Sequence, residues 1–216
     1  MSRLPLIPYD EASDEVKASY RRFHEAGLDK FMHQAESLAH HPPLLEAVTN
    51  LLLAYYHHSE VPQRYLELGV LAVSARNACE YCVVHHTPQA VGTGLTLEQT
   101  TAVVEGDWRG RDDFDDTDRL VLEYAEQVTA DANRVSDELF AGLRAAFTDS
   151  QVLELTMRLT TCTFFNKFND VLRLEVEPIA ASLFTTATGA APDAEAAGDA
   201  ATATGTGTVT DEGGTA

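Results

Sequence analysis

Long apolar stretches are missing from this sequence of 216 residues. No run of 18 or more apolar residues occurs, so we expect no transmembrane helix. Residues 1–9 lack the extended apolar segment of a secretory signal peptide, and a cytoplasmic location is the default expectation. Because 44% of the residues are hydrophobic, the chain can bury a sizeable core, which argues against a globally disordered protein.

Cysteine is scarce, with three in the chain, of which two form the pair Cys79-Glu80-Tyr81-Cys82. A secreted disulfide scaffold has more cysteines, usually in even number. In a reducing compartment a close pair instead indicates redox or metal chemistry. Cys162 falls in an apolar helical segment, where an inert core residue is the expected role.

Lysine is the rarest charged residue. Only Lys17, Lys30 and Lys167 occur among 15 basic residues, against 34 acidic ones, and the formal net charge is −19. This charge argues against nucleic acid or an anionic membrane as a partner. It is also typical of proteins adapted to concentrated salt, and a solvated acidic surface is the alternative interpretation.

Aromatic and basic residues are absent from about residue 185 onward, where Ala, Thr, Gly, Asp and Glu dominate. Such a segment cannot bury enough apolar surface to offset its ordering entropy. We therefore predict a folded domain over residues 1–184 and a disordered acidic tail over 185–216. Five acidic residues lie in the tail, and removing their charges from −19 leaves −14 on residues 1–184.

The folded domain shows helical periodicity, because its apolar residues recur at intervals of three and four without convincing alternation of period two. The pattern predicts an all-α bundle of about nine helices with short connections. The predicted helices cover residues 13–25, 31–41, 44–57, 62–76, 79–92, 96–106, 117–130, 136–147 and 150–172.

The segment most informative about function contains Cys79, Cys82 and His86. On a helix these residues are three and four apart, so they share one face. A helix N-terminus and a neighbouring imidazole both favour a thiolate, which is the nucleophilic form. We expect Cys82, one turn from His86, to be the activated thiol and Cys79 to form a disulfide with oxidised Cys82. One alternative is that both cysteines merely pack in the core. The other is a zinc site, although the sequence has no second Cys/His pair to complete its ligands.

Glu67 is the one charged residue in the apolar run 65–73. Burial raises the pKa of a carboxyl group towards neutrality, which suits a proton relay. A salt bridge to Arg64 or Arg76 is the alternative. A solvent-exposed or packing role is favoured for His85, and Tyr81 is expected either to border the site or to pack in the core.

Glu67, followed after eleven residues by Cys79-x-x-Cys82-x-x-x-His86, resembles the active-site motif of the AhpD-like alkylhydroperoxidases in the carboxymuconolactone decarboxylase superfamily. Segments 38–47 and 164–169 are similar to the peroxidase-related branch of that family. The resemblance covers roughly residues 5–180 and implies an AhpD-like fold assembled as a homotrimer or homohexamer. It further implies Cys82 as the peroxide-attacking thiol, Cys79 as proton donor and resolving partner, and His86 with Glu67 as the proton relay.

The activity implied by this resemblance is that of a thiol-dependent peroxidase, which reduces hydroperoxides through a sulfenate and disulfide cycle. An external dithiol, in this family usually a lipoylated protein, serves as reductant, and no cofactor or metal is expected. Tyr81 stands where characterised members often have a second histidine. Lactone decarboxylation, which does not rely on a CxxC pair, and a CxxC redox-sensing or interaction protein are the alternative functions.

Salt is expected to stabilise the fold, because the net charge of −14 on residues 1–184 repels itself and molar salt shortens the screening length to roughly 3 Å. Thermal melting followed from low salt to molar KCl should show a rising midpoint. A midpoint that stays constant or falls would contradict the adaptation to high salt.

Overall fold

The computed structural model describes residues 1–191, which contain ten α-helices and no β-strand. The helices are α1 (Asp14–Glu25), α2 (Met32–Leu38), α3 (Pro42–His58), α4 (Gln63–Arg76), α5 (Glu80–Gly92), α6 (Leu97–Glu105), α7 (Asp116–Asp131), α8 (Asp137–Ala146), α9 (Asp149–Leu172) and α10 (Pro178–Thr188). The predicted all-α class is confirmed, and the nine predicted helices correspond to α1–α9.

The tenth helix places the end of the folded domain later than the predicted boundary at residue 184. Helix α10 has Pro178 in its first turn and ends at Gly189, whose φ of 73° lies in the left-handed region that terminates many helices. It packs against α5, so tertiary contacts stabilise a segment whose composition resembles the tail. The rest of the predicted tail, from residue 192, lies outside the described residues.

Helix α4 lies at the centre of the bundle, packed against α5, α6, α7 and α9. Every residue from Leu66 to Ser74 is buried, so this helix has no solvent-facing side over two turns. Gly69 permits the close approach of α9, because a Cβ atom there would lie 2.7 Å from the Cδ2 atom of Leu159. The single acidic side chain in this stretch, Glu67, is consequently held inside the core.

An ion pair joins α4 to α7. The Nε and Nη2 atoms of Arg64 donate to the two carboxylate oxygens of Asp118 at 2.9 and 2.6 Å. Asp118 is fully buried and also forms a reciprocal capping box with Asp115 at the start of α7. Since Arg64 is paired here, it is not the partner of Glu67.

Helices α1–α3 form a second apolar cluster around Phe23 and Leu45. The connection between α1 and α2 carries Leu28 and Phe31 to the edge of this cluster, where both also line the cavity described below. The N-terminal helices therefore form one wall of the candidate site. None of the helices between residues 1 and 191 is both long and apolar enough to cross a lipid bilayer.

Candidate active site

The cysteine pair lies at the start of α5, directly after a tight turn from α4. Within this turn Ala78 has a φ of 53°, a left-handed conformation that is strained for a residue with a Cβ atom. The amide of Cys79 donates to the carbonyl of Ser74 at 2.9 Å, and the Asn77 side-chain amide donates to the Asn166 side chain on α9 at 2.9 Å. These contacts fix Cys79 as the residue that precedes α5, consistent with the predicted position of the pair.

Both thiols of the pair are free and buried, with Cys79 fully enclosed and Cys82 only 4% exposed. The side-chain amide of Asn169 donates to the Cys82 sulfur at 3.3 Å. A hydrogen bond with Cys79, and secondly burial, raise the pKa of Cys82 well above its usual range. The lowered Cys82 pKa expected from the sequence is therefore not found, because Cys79 occupies the helix N-terminus and Cys82 lies deeper. A base must remove the Cys82 proton for reaction to occur.

Glu67 and His86 form a hydrogen-bonded pair between α4 and α5. The Glu67 Oε2 atom lies 2.8 Å from His86 Nδ1, and the two side chains are 4% and 13% exposed. An ionised carboxylate is only an acceptor, so it holds the proton on Nδ1 and leaves the Nε2 atom with its lone pair. Burial lowers the pKa of His86, while Glu67 opposes that shift. His86 is therefore a neutral base at pH 7.

A cavity of about 360 Å³ brings these groups to one surface. Its polar lining includes the side chains of Glu67, Cys82, His86, Gln89 and Arg158, and its apolar lining includes those of Leu28, Phe31, Leu52, Leu66, Val70 and Phe165. Cys79 is not among the lining residues, so Cys82 is the thiol of the pair that faces a ligand. Within residues 1–191 no hydrogen bond joins Cys82 directly to His86, although both face the same space.

His85 and Tyr81 form a separate buried cluster with Glu177, the residue that precedes α10. The Nε2 atom of His85 lies 2.7 Å from Glu177 Oε2, and the hydroxyl of Tyr81 donates to Glu177 Oε1 at 2.8 Å. The two rings stack with centroids 4.0 Å apart. The packing role favoured for His85 agrees with this arrangement. Neither side chain lines the cavity, so Tyr81 does not border it.

The sequence reasoning missed several polar residues of α9 that surround the thiols. Asn166 and Asn169 are almost fully buried, and their spacing of three on an apolar helix was an available signal. Cys162 is buried as expected, and burial raises its pKa to about 11, but it also lines the cavity with Cys82. The described part of the chain contains no cluster of three His, Cys, Asp or Glu side chains placed to bind a metal ion.

Residues 42–108 match the profile of the carboxymuconolactone decarboxylase family. This range extends from the start of α3 to just beyond α6 and includes Glu67, Cys79, Cys82 and His86. The uncharacterized protein YnjA of Escherichia coli (strain K12) is 34% identical over 109 residues, which cover 49% of this chain and 59% of YnjA.

Two solved structures are similar to this chain over most of its length. An uncharacterized peroxidase-related protein with an alkylhydroperoxidase AhpD core, from Ralstonia eutropha JMP134, has a TM-score of 0.72 at 20% identity and covers 87% of this chain and 96% of its own. The debrominase Bmp8 in complex with 2,3,4-tribromopyrrole has a TM-score of 0.68 at 16% identity, with coverages of 86% and 99%. These similarities confirm the predicted AhpD-like fold.

Replacing Glu67 by Gln should change the titration of His86 as well as the reactivity of Cys82. With neutral His86 as the expected base, reactivity should rise with pH through the His86 pKa, which burial lowers from its ordinary value. Glu67 raises that pKa, and its removal should move the rise to still lower pH. The plateau rate of Cys82 oxidation by hydroperoxide should fall about 100-fold, because the imidazolium loses its carboxylate partner. Rate against pH and an NMR titration of His86 measure both effects.

The matched control is Glu177→Gln, which makes the same substitution in the other buried carboxylate–histidine pair, away from the cavity. Thermal melting would show how far each variant destabilises the fold. Equal losses of rate in the two variants, with no shift of the pH profile, would show that Glu67 has only a structural role.

Proposed function

We propose that this chain, an AhpD-like protein of the carboxymuconolactone decarboxylase superfamily, is a thiol-dependent peroxidase that reduces hydroperoxides through Cys82 and Cys79. The family and fold support a peroxidase-related or decarboxylase-type function in general. One observation favours the peroxidase: Cys82 lies on the wall of a cavity that also holds the buried Glu67–His86 pair. A thiol and a neutral base at one surface are the components that nucleophilic thiol chemistry requires.

The first step oxidises Cys82. His86 Nε2 accepts the Cys82 proton. The proton crosses the cavity that both side chains line, since the two share no direct hydrogen bond within residues 1–191. The thiolate attacks the terminal peroxide oxygen, so an S–O bond forms while the O–O bond breaks. The leaving alkoxide takes the proton from the His86 imidazolium, which Glu67 has stabilised. Sulfur is oxidised to a sulfenic acid, and the peroxide is reduced to an alcohol.

The second step uses Cys79 as the resolving thiol. Cys79 directly precedes α5 and Cys82 lies in its first turn, and both side chains belong to one buried cluster. Attack of Cys79 on the Cys82 sulfenic acid forms the disulfide and releases water. An external dithiol then reduces the disulfide, becoming oxidised itself and returning the enzyme to its starting state.

Peroxide consumption coupled to added dihydrolipoamide tests this function. The purified chain should consume tert-butyl hydroperoxide catalytically, with one dithiol oxidised per peroxide reduced. A chain that forms the disulfide with peroxide but turns over slowly with every dithiol offered would favour the redox-sensing function instead. Absence of thiol oxidation by peroxide would contradict the peroxidase proposal.

Serine variants should separate the roles of the two cysteines. Cys82→Ser should abolish peroxide reduction and sulfenic acid formation together, because the thiol facing the cavity is lost. Cys79→Ser should still undergo one oxidation, and the Cys82 sulfenic acid should persist because its resolving partner is missing. A sulfenate-specific label located by mass spectrometry measures both outcomes.

Cys162→Ala is the control, since it removes a buried thiol of the same helix bundle that has no step in this scheme. Label on Cys79 in the Cys82→Ser protein, with none on Cys82 in the Cys79→Ser protein, would reverse the assignment. Label on neither cysteine would contradict the sulfenate chemistry itself.

A further inference from the structure

Arg158 is a charged residue of the cavity that takes no part in the proposed oxidation of Cys82 or in the formation of the disulfide. It lies on α9 and lines the same surface as Cys82 and His86. Its Nε atom is buried without a hydrogen-bond partner. The ion pairs within residues 1–191 involve other basic groups, so no carboxylate of the described chain neutralises Arg158. The guanidinium group therefore has donors available to a ligand.

Arg158 lacks a carboxylate partner within residues 1–191 although the chain has 34 acidic residues and 15 basic ones. Four other arginines of the described chain pair with carboxylates, namely Arg64, Arg109, Arg111 and Arg144. A guanidinium group stays charged at every physiological pH and carries five N–H donors. Leaving the buried Nε–H donor of Arg158 without an acceptor is unfavourable, which points to an acceptor supplied from outside the chain.

The guanidinium group of Arg158 is held in place by an aromatic ring. Its central carbon lies 5.1 Å from the ring centroid of Tyr55, whose hydroxyl is 2.9 Å from the Thr161 hydroxyl on α9. A cation–π contact of this kind uses the face of the guanidinium group and leaves the N–H donors in its plane. Arg158 lines the same cavity as His86, and its positive charge helps to lower the pKa of His86.

Much of the remaining cavity wall is apolar, although glutamine, tyrosine and threonine side chains also line it. Leu28, Phe31, Leu52 and Phe165 contribute side chains without polar groups. The volume of about 360 Å³ lies within the range of small-molecule sites and greatly exceeds what hydrogen peroxide needs. A ligand that fills this space has an apolar body and one anionic end.

We propose that Arg158 binds the carboxylate of an organic hydroperoxide with an apolar body, a fatty-acid hydroperoxide being the representative substrate. This inference rests on the peroxidase proposed above and names its substrate class. The carboxylate accepts hydrogen bonds from the guanidinium group, and the chain of the substrate lies along the apolar wall with its peroxide group at Cys82. The redox step is unchanged: the Cys82 thiol and the hydroperoxide give a sulfenic acid and the hydroxy fatty acid.

A matched pair of substrates tests the role of Arg158. Linoleic acid hydroperoxide and its methyl ester differ in the charged end alone. Each is mixed with the reduced protein without any dithiol, and oxidation of Cys82 is followed by rapid quenching with an alkylating reagent. The ratio of the two second-order rate constants is measured, so an effect of Arg158 on His86, common to both substrates, cancels.

The wild-type protein should prefer the acid by about 10- to 100-fold, the range expected for hydrogen bonds between charged groups. Arg158→Gln should bring the ratio close to one, and Arg158→Lys should keep part of the preference. Arg144→Gln, which removes an exposed arginine paired with Asp149, is the matched control and should keep the full ratio. A preference for the acid that survives Arg158→Gln, or a wild-type ratio near one, would overturn the proposal.

The same carboxylate chemistry can also come from the reductant. Disulfide reduction is therefore compared with dihydrolipoate and dihydrolipoamide, which differ in their carboxylate and amide ends. If Arg158→Gln changes the rate of disulfide reduction equally for the two dithiols, the result supports the assignment of Arg158 to the peroxide substrate. If Arg158→Gln removes the preference for the carboxylate in disulfide reduction alone, Arg158 binds the reductant, and the substrate assignment is overturned.

Calorimetric binding of decanoate and methyl decanoate to the reduced protein separates this inference from the proposed function. Decanoate should bind the wild-type protein at least 10-fold more tightly than its ester, and Arg158→Gln should remove the difference. If peroxides fail to oxidise Cys82 but this difference is found, the peroxidase is wrong and the carboxylate site stands. Equal binding of the two ligands, or binding of neither, would overturn the carboxylate site.

Discussion

The burial of Glu67 in the central helix is the constraint on which the arrangement of the site depends. Helix α4 has core residues on every side, so the carboxylate needs a partner that is also inside the protein. His86 supplies it at 2.8 Å, and this contact joins α4 to α5 at the position where Cys82 faces the cavity. The hydrogen bond thus provides the buried carboxylate with a partner and leaves His86 on the wall of the cavity that Cys82 also lines.

Burial also determines when the thiol becomes reactive. In the reduced protein the pKa of Cys82 is raised and the pKa of His86 is lowered, so both groups are neutral at pH 7. A neutral thiol in the core is protected from adventitious oxidation, since the thiolate is the nucleophilic form. In the proposed mechanism, proton transfer to His86 accompanies the reaction, and Glu67 stabilises the imidazolium that results. The raised Cys82 pKa is compatible with catalysis because the base lies on the same cavity surface.

Local sequence signals predicted nine of the ten helices between residues 1 and 191 and the burial of Glu67, whereas they could not predict long-range pairings. The spacing of Cys82 and His86 places both on the cavity side of α5, whereas Cys79 precedes the helix and does not line the cavity. The apolar run around Glu67 predicts its burial. Helix α10 was missed because its packing on α5 is a long-range contact that the local sequence pattern does not report. The unpaired state of Arg158 depends on which acids lie nearby in three dimensions, and no sequence pattern reports that.

A single-turnover titration of the thiols tests the central claim most directly. Fully reduced protein is treated with tert-butyl hydroperoxide in the absence of any reductant, and free thiols are counted after denaturation. The account predicts that each chain consumes one equivalent of peroxide and loses two of its three thiols, with a Cys79–Cys82 disulfide found by peptide mapping. Retention of all three thiols, or loss of thiols without that disulfide, would contradict it.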